Sequence, residues 1–314
     1  RSSALRRATS GNASMRAIRS RIASHEGVIY GIPHDLSSAG VVYDVGAFEE
    51  AGLDADPFAM ATWADLREYA RRLTVGTDDR IVRSGISFSI IDGQALQSWL
   101  VANGASLYSP DFTRIALDTP QALEALEFFL ELRDGMGVLG GGAVEDGTAA
   151  IRLNYGNFAG FALETARPDL TFRYTSMPPG PSGSGRTTVT WSNMVSIVSS
   201  SENADLAWEY VKFYTGLETR IAMLTMLQRL SAHSELYSTG PWREAVEKHP
   251  YMSTYEHMAM VGEIWPFIAT STAVQAAMEE VQGILAGSIS PAGGLLRAAE
   301  RGTAILRSEQ NQRL

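Results

Sequence analysis

Residues 27–66 read GVIYGIPHDLSSAGVVYDVGAFEEAGLDADPFAMATWADL. Val28 to Ile32 form a short apolar run, and Pro33 closes it because proline cannot donate to a strand ladder. Gly40 to Tyr43 predict a second strand, and Gly46 to Ala51 a short helix that Gly52 ends at the position favouring a left-handed residue. Thr62 and Asp65 stand three apart, the spacing of a capping box. They open an amphipathic helix with Leu66, Tyr69, Ala70 and Leu73 on one face. Strands alternating with helices define an α/β chain.

The same alternation continues outward. Ile86, Phe88 and Ile90 alternate with Ser87 and Ser89, as in a half-buried strand, and a helix through Trp99 ends near Asn103-Gly104. Thr119-Pro120 starts a helix with Leu123, Leu126, Phe129 and Leu130 inward. Ala149 to Leu153 and Met194 to Ser199 read as strands, Phe158 to Thr165 as a helix, and Phe172 and Tyr174 as part of an alternating strand. Asn203 caps a helix with Ala207, Tyr210, Val211 and Tyr214 inward and Gly216 at its end. Met177 to Gly185, MPPGPSGSG, has linker composition. The remainder is helical, punctuated at prolines 241, 250, 266 and 291. Before residue 27 the chain is rich in Arg, Ser and Ala, with a weak helical pattern at Met15, Ile18 and Ile22. It has no apolar core of a signal peptide and no initial Met, so it reads as a processed or trimmed product.

At 314 residues the chain has room for two domains or one bilobed unit. Its 26 cations against 35 acids leave a net charge of −9, which gives no long-range attraction to phosphate backbones or anionic lipid. No run approaches 18 apolar residues, so no membrane span is expected. The absence of cysteine removes disulfides, thiolate metal sites and Cys nucleophiles. The five histidines, at 25, 34, 233, 249 and 257, show no zinc spacing, and His249 and His257 read as surface residues. Gly135 to Gly142 lacks the Lys-Ser/Thr of a phosphate loop, and there is no nucleophile elbow. No metal or cofactor is expected and no catalytic motif is seen, so the chain reads as a non-enzyme, but Asp and Glu are plentiful enough to leave a metal-free hydrolase using two carboxylates open.

Several ordered stretches resemble carbohydrate-type extracellular solute-binding proteins (family 1), the receptor subunits of bacterial ABC importers. They are Gly27 to Pro33, Val41 to Asp44, Phe48 to Leu53, Thr62 to Leu66, Leu96 to Leu107, Leu117 to Glu127, Ala149 to Phe158 and Ala207 to Phe213. The resemblance covers most of the chain after residue 27. It implies a two-lobe, type II periplasmic-binding-protein-like fold whose N-terminal lobe is incomplete, since the Gly27 run normally comes later. Lobe one would hold 1–36 and 179–235, and lobe two 37–178 and 236–314. Hinge crossings would fall near 33–37, 177–180 and 231–238. Where relatives carry Gly-Ser-Trp this chain has Asn154-Tyr155-Gly156-Asn157, which displaces the aromatic.

The resemblance further implies an extracytoplasmic, periplasmic or cell-surface monomer, lipid-anchored in some members. It would bind a sugar or oligosaccharide between its lobes and pass it to permease subunits, without nucleic acid or a membrane span of its own. A sugar needs flat aromatic surface for its C–H faces and polar side chains for its hydroxyl rim. Loops near the expected crossings supply both: Asp35 and Ser37 beside His34 and Ser38, Asp92 and Gln94, Trp99 and Asn103, Tyr155 and Asn157, Trp191 and Asn193, Arg229, and Trp265. Trp63, Trp208 and Tyr43 read as packing residues, Trp242 as a helix-start anchor, and Trp99 as either core or cleft. Two alternatives stand beside this reading: a glycan-active hydrolase on a similar scaffold, and a truncated, non-binding lobe used as an interaction surface.

Overall fold

The computed structural model describes residues 23–25, 28–77, 80–156, 159–185, 187–265 and 272–311. The first strands are β1 (Ser24–His25), β2 (Val28–Ile29), β3 (Ile32–Pro33), β4 (Ser37–Ser38) and β5 (Gly40–Asp44). Then come α1 (Val45–Glu50), α2 (Trp63–Leu73), β6 (Val75–Thr77), β7 (Arg80–Ser87), α3 (Gly93–Ala102) and α4 (Pro120–Leu130). They are followed by β8 (Leu139–Gly140), β9 (Ala149–Tyr155), α5 (Ala159–Ala166), β10 (Phe172–Thr175), β11 (Val189–Trp191) and β12 (Met194–Val195). The last elements are α6 (Ala204–Thr215), α7 (Leu217–Leu227), α8 (Gly240–Lys248), α9 (Tyr251–Val261), β13 (Glu263–Ile264), α10 (Thr272–Leu285) and α11 (Pro291–Asn311). The α/β class expected from sequence is the one observed. The helix expected around Met15, Ile18 and Ile22 lies outside the described residues.

The chain divides into two compact units. Unit 1 takes the chain up to Ala39, Tyr155–Asp169 and Val189–Phe267, and unit 2 takes Gly40–Asn154, Leu170–Thr188 and Ile268–Leu314.

Unit 2 is built on a sheet of order β10-β5-β9-β7-β6, with β8 also on β7. β7 runs parallel to β8 and β9, while β5 and β10 are antiparallel. Local sequence sets several of its helix starts. Asp44 caps α1, accepting from the Gly46 and Ala47 amides. Thr62 and Asp65 form the full capping box of α2, and Thr119 caps α4 with Pro120 in its first turn. Capping contributes roughly 1 kcal/mol at each such terminus. Gly85 lets α2 lie close on β7, because a Cβ there would stand 2.0 Å from the Ala70 carbonyl oxygen. The core is a run of rings. Trp63 stacks on Phe128 (4.6 Å) and Trp99 (5.0 Å), and Phe129 meets Trp99 edge-on at 5.8 Å.

Unit 1 holds a three-stranded sheet of order β13-β11-β4 and the separate pair β12-β3. Its core joins Leu36 to Leu224, Leu230, Leu236, Trp242, Met252, Tyr255, Met258 and Ala259.

The observed boundaries differ from those read in the sequence. Residues 236–267, expected in lobe two, belong to unit 1 because Leu236, Trp242, Met252 and Met258 close the same core as Leu36. Ser37 and Ser38 belong there through pairing with Trp191 and Thr190. Residues 155–169 also join unit 1, where Glu164 on α5 meets His249 at 2.7 Å. The 177–185 stretch is no free crossing. Gly180 N–H donates to Ala102 O (2.8 Å) and the Trp63 N–H to Pro179 O (3.1 Å), which places the stretch in unit 2. Tyr210, expected inward, is 57% exposed.

Candidate functional site

In unit 1 three short strands gather residues from distant parts of the sequence. β11 pairs antiparallel with β4, setting Trp191 opposite Ser37 and Thr190 opposite Ser38. It runs parallel with β13, and the Trp265 N–H extends that ladder to Thr190 O at 2.7 Å. Trp191 and Trp265 are both half-buried. Gly156 lies against the Trp191 ring: a Cβ there would stand 3.0 Å from Cη2, 3.1 Å from Cζ2 and 3.5 Å from Ser37 Oγ. Ser37 Oγ is 3.0 Å from the Tyr255 hydroxyl, which also accepts from the Ser38 N–H at 3.3 Å. Burial pushes the Tyr255 phenol well above its usual range, so it remains a neutral hydroxyl.

Beside these strands sits a buried carboxylate. Asp35 is 1% exposed and accepts from the Asn193 N–H (2.6 Å) and from Asn193 Nδ2 (2.8 Å). Arg229 approaches it at 3.5 Å, and Ser192 Oγ donates to the Asp35 backbone oxygen. The His34 N–H donates to Asn193 O at 3.0 Å, continuing the β3–β12 pairing of Pro33 with Met194. Asp35, Asn193 and Arg229 are thereby one hydrogen-bonded group. Buried charges persist when paired and hydrogen-bonded in this way.

Unit 2 has a groove of about 910 Å³ beyond the carboxyl ends of β7, β8 and β9. That end of parallel strands is where ligand crevices form in open α/β sheets. Ser89, Asp92, Arg133, Arg152 and Asn154 supply its polar lining, and Phe88, Ile90, Ile91 and Phe129 its apolar lining. Asn154 holds a left-handed backbone, φ 55°, with its side chain accepting from Ser98 Oγ at 2.8 Å. Asparagine is among the few residues that tolerate that conformation. Arg133 chelates Asp134 through Nε and a terminal nitrogen, which holds the Asp134 carboxyl below its usual range.

Some expected site residues have other roles. Trp99 is 1% exposed inside the ring stack, with Nε1 donating to Ala125 O at 2.6 Å, so it is core. Asn103 is fully buried, donating to Gln121 O and Glu124 and accepting from the Ser182 N–H. It ties 177–185 to α3 and α4 rather than facing solvent. Asp92 caps α3 through the Ala95 N–H (2.8 Å) as well as lining the groove. Gln94 does not line it. The Tyr155 backbone ends β9, and Asn157 lies outside the described residues. Tyr43, Trp63 and Trp242 are buried, as read from sequence.

Sequence reasoning did not single out Tyr255, Arg133 or Arg152. Nor did it find the setting of His249, which is half-buried on Glu164 (Nδ1 2.8 Å from Oε1) and beside Gln228 instead of on the surface. The only signal for that pair lies in space, since 85 residues separate its members. Among the described residues no group of three or more His, Asp or Glu is placed to hold a metal ion, and no helix is long and apolar enough to cross a membrane.

A family model described as bacterial extracellular solute-binding protein matches residues 8–220. A search of curated protein sequences returned no match. Among solved structures, the chain is similar to the cyclic α-maltosyl-1,6-maltose binding protein of Arthrobacter globiformis. That match has a TM-score of 0.73 and 19% identity, covering 95% of this chain and 78% of that one. It is also similar to the GacH receptor of Streptomyces glaucescens, solved unliganded and with acarbose (TM-score 0.78, 14% identity, 95% and 75% covered). A third is the ABC substrate-binding protein Lmo0181 of Listeria monocytogenes in complex with cycloalternan (TM-score 0.78, 16% identity, 99% and 79% covered). At these identities the likeness establishes the fold: the type II, two-lobe architecture expected from sequence.

Proposed function

Because the chain belongs to the bacterial extracellular solute-binding protein family, we propose that it captures a sugar or oligosaccharide and delivers it to the transmembrane subunits of an ABC importer. It works outside the cytoplasmic membrane as a monomer and releases its ligand chemically unchanged.

The observation that carries this reading is the edge of unit 1, where two half-buried indoles stand on adjoining strands beside a rigidly held polar group. Trp191 and Trp265 offer ring surface for the C–H faces of a pyranose. Asn193 and Arg229 offer polar groups whose geometry the buried Asp35 sets before ligand arrives, whereas Ser37 is fully buried against Tyr255 and braces the strand opposite Trp191 instead of meeting ligand. Such preorganisation lowers the ordering cost of binding. Unit 2 has a groove of its own that offers Ser89, Asp92 and Asn154 for hydroxyls, with Phe88 and Ile90 as apolar surface. The carbohydrate ligands of the similar solved structures support the same ligand class.

Two substitutions test the assignment. Trp191→Ala and Trp265→Ala are each expected to weaken sugar binding severalfold or more, since a stacking ring contributes about 0.5–1.5 kcal/mol beyond its buried area. Far-UV circular dichroism should stay unchanged. Titration isotherms identical to wild type for both variants defeat the site. Conversion of the sugar during the titration, read by chromatography, would instead favour a hydrolase.

A further inference from the structure

β13 is an edge strand of the three-stranded sheet in unit 1, and alternation along a strand sorts its side chains between two faces. Ile264 packs against the Leu36 core, so Glu263 and Trp265 on either side of it turn to the other face. β11 and β13 run parallel with Thr190 opposite Ile264, which brings Trp191 opposite Trp265 on that same face. Two half-buried indoles and one exposed carboxylate thus share a face of two adjoining strands. Neighbouring strands lie about 4.8 Å apart, and Glu263 stands about 7 Å from Trp265 along β13.

Glu263 differs from the other carboxylate of this region. Asp35 is already answered by Arg229 and by both nitrogens of Asn193. Among the described residues no hydrogen bond or ion pair engages the Glu263 side chain. The protein packed around it raises its carboxyl above the usual range, and no cation of the chain opposes that shift. Water alone then supports the charge. A ligand laid across the two indoles strips part of that water, which is costly for a carboxylate left without a counter-charge. A cation on the ligand offsets the loss by pairing with the carboxylate, and indole faces attract cations as well. We propose that Glu263, with Trp191 and Trp265, selects a saccharide bearing a protonated amine over its neutral counterpart. Selection of this kind presupposes the sugar-binding reading and narrows its ligand class to amino sugars. The indoles take the C–H faces of the ring, and Glu263 accepts a charge-assisted hydrogen bond from the ammonium group. The net charge of −9 favours approach of the same ligands.

The test is calorimetric titration of the full chain with matched sugars that differ only in the substituent on the second ring carbon: a protonated amine, its N-acetyl form, or a hydroxyl. Gluco, galacto and manno forms are compared as monosaccharides and as oligosaccharides. The amine form should bind at least about tenfold tighter than the other two, and rising salt should weaken that form alone. Glu263→Gln should bring the three forms within about twofold of one another. Should that variant bind none of them, the wild-type ranking and its salt dependence decide. A hydroxyl or N-acetyl form bound as tightly as the amine overturns the selection while leaving sugar capture standing, and so does an amine preference that survives in Glu263→Gln. If no form binds to the wild type, sugar capture fails together with the selection.

Discussion

Replacing Asp35 by alanine is the sharpest perturbation of unit 1. The carboxylate is 1% exposed and accepts from both the backbone and side-chain nitrogens of Asn193, at 2.6 and 2.8 Å, with Arg229 at 3.5 Å. Hydrogen bonds to a charged group contribute about 1.5–3 kcal/mol each, and removing one partner of a buried ion pair costs about 3–5 kcal/mol. The two figures overlap because they describe the same atoms, so about 3–5 kcal/mol is expected in total. Asp35→Asn keeps one acceptor oxygen but sets an NH₂ against the donors of Asn193, and should cost about half as much. The chain has two compact units, so a single global unfolding energy is the wrong readout. Amide hydrogen exchange resolves them. Amides of β3, β4 and β12 should exchange at least about a hundredfold faster, at about 1.4 kcal/mol per factor of ten. Those of β7 and β9 should change little. An effect under about 1 kcal/mol in unit 1, or an equal effect in both units, refutes the reasoning.

Three further outcomes follow from particular contacts. Trp99→Ala should cost unit 2 about 3–5 kcal/mol in denaturant melts, while ligand affinity of the folded protein stays within about twofold. Normal stability with lost binding would return Trp99 to the site. Gly85→Val should cost about 3 kcal/mol or more, since its Cβ meets the backbone oxygen of Ala70, which has no side-chain freedom to move aside. A near-wild-type melting temperature contradicts that packing. Burial, opposed by Asp35 and reinforced by Arg220 and Arg229, lowers the His34 pKa. The unfolded residue, near pH 6.5, then takes up a proton before the folded one. Stability should therefore fall as pH drops below about 6.5 toward the folded value, by at most about 1.4 kcal/mol per pH unit. His34→Gln should flatten that part of the pH profile, and an unaltered slope excludes this source.

Local chemistry was readable in advance where a few neighbouring residues decide the outcome. The Thr62–Asp65 box, Pro120 after Thr119, and Gly52 after α1 are where the sequence places them. Trp99 was undecidable because α3 is buried almost all round, from Gly93 through Ala102, and periodicity then has no exposed face to contrast. The 177–185 stretch reads as linker because glycine and proline have the same composition whether free or packed. Only the Asn103 and Ala102 contacts show that it is held. Asp35, Asn193 and Arg229 were each named singly, but spans of 158 and 194 residues kept their union out of sight. The placement of 236–267 failed for the same reason: its core partner Leu36 lies some two hundred residues earlier.

The measurement that bears most directly on the account is calorimetric titration of the intact chain with a panel of mono- and oligosaccharides, each sample analysed afterwards for ligand integrity. Saturable binding of at least one sugar is predicted. The sugar should be recovered intact, and ligand at 100 times its dissociation constant should add about 2.7 kcal/mol of stability. A panel without heat or thermal shift, or a sugar recovered as cleaved product, contradicts it.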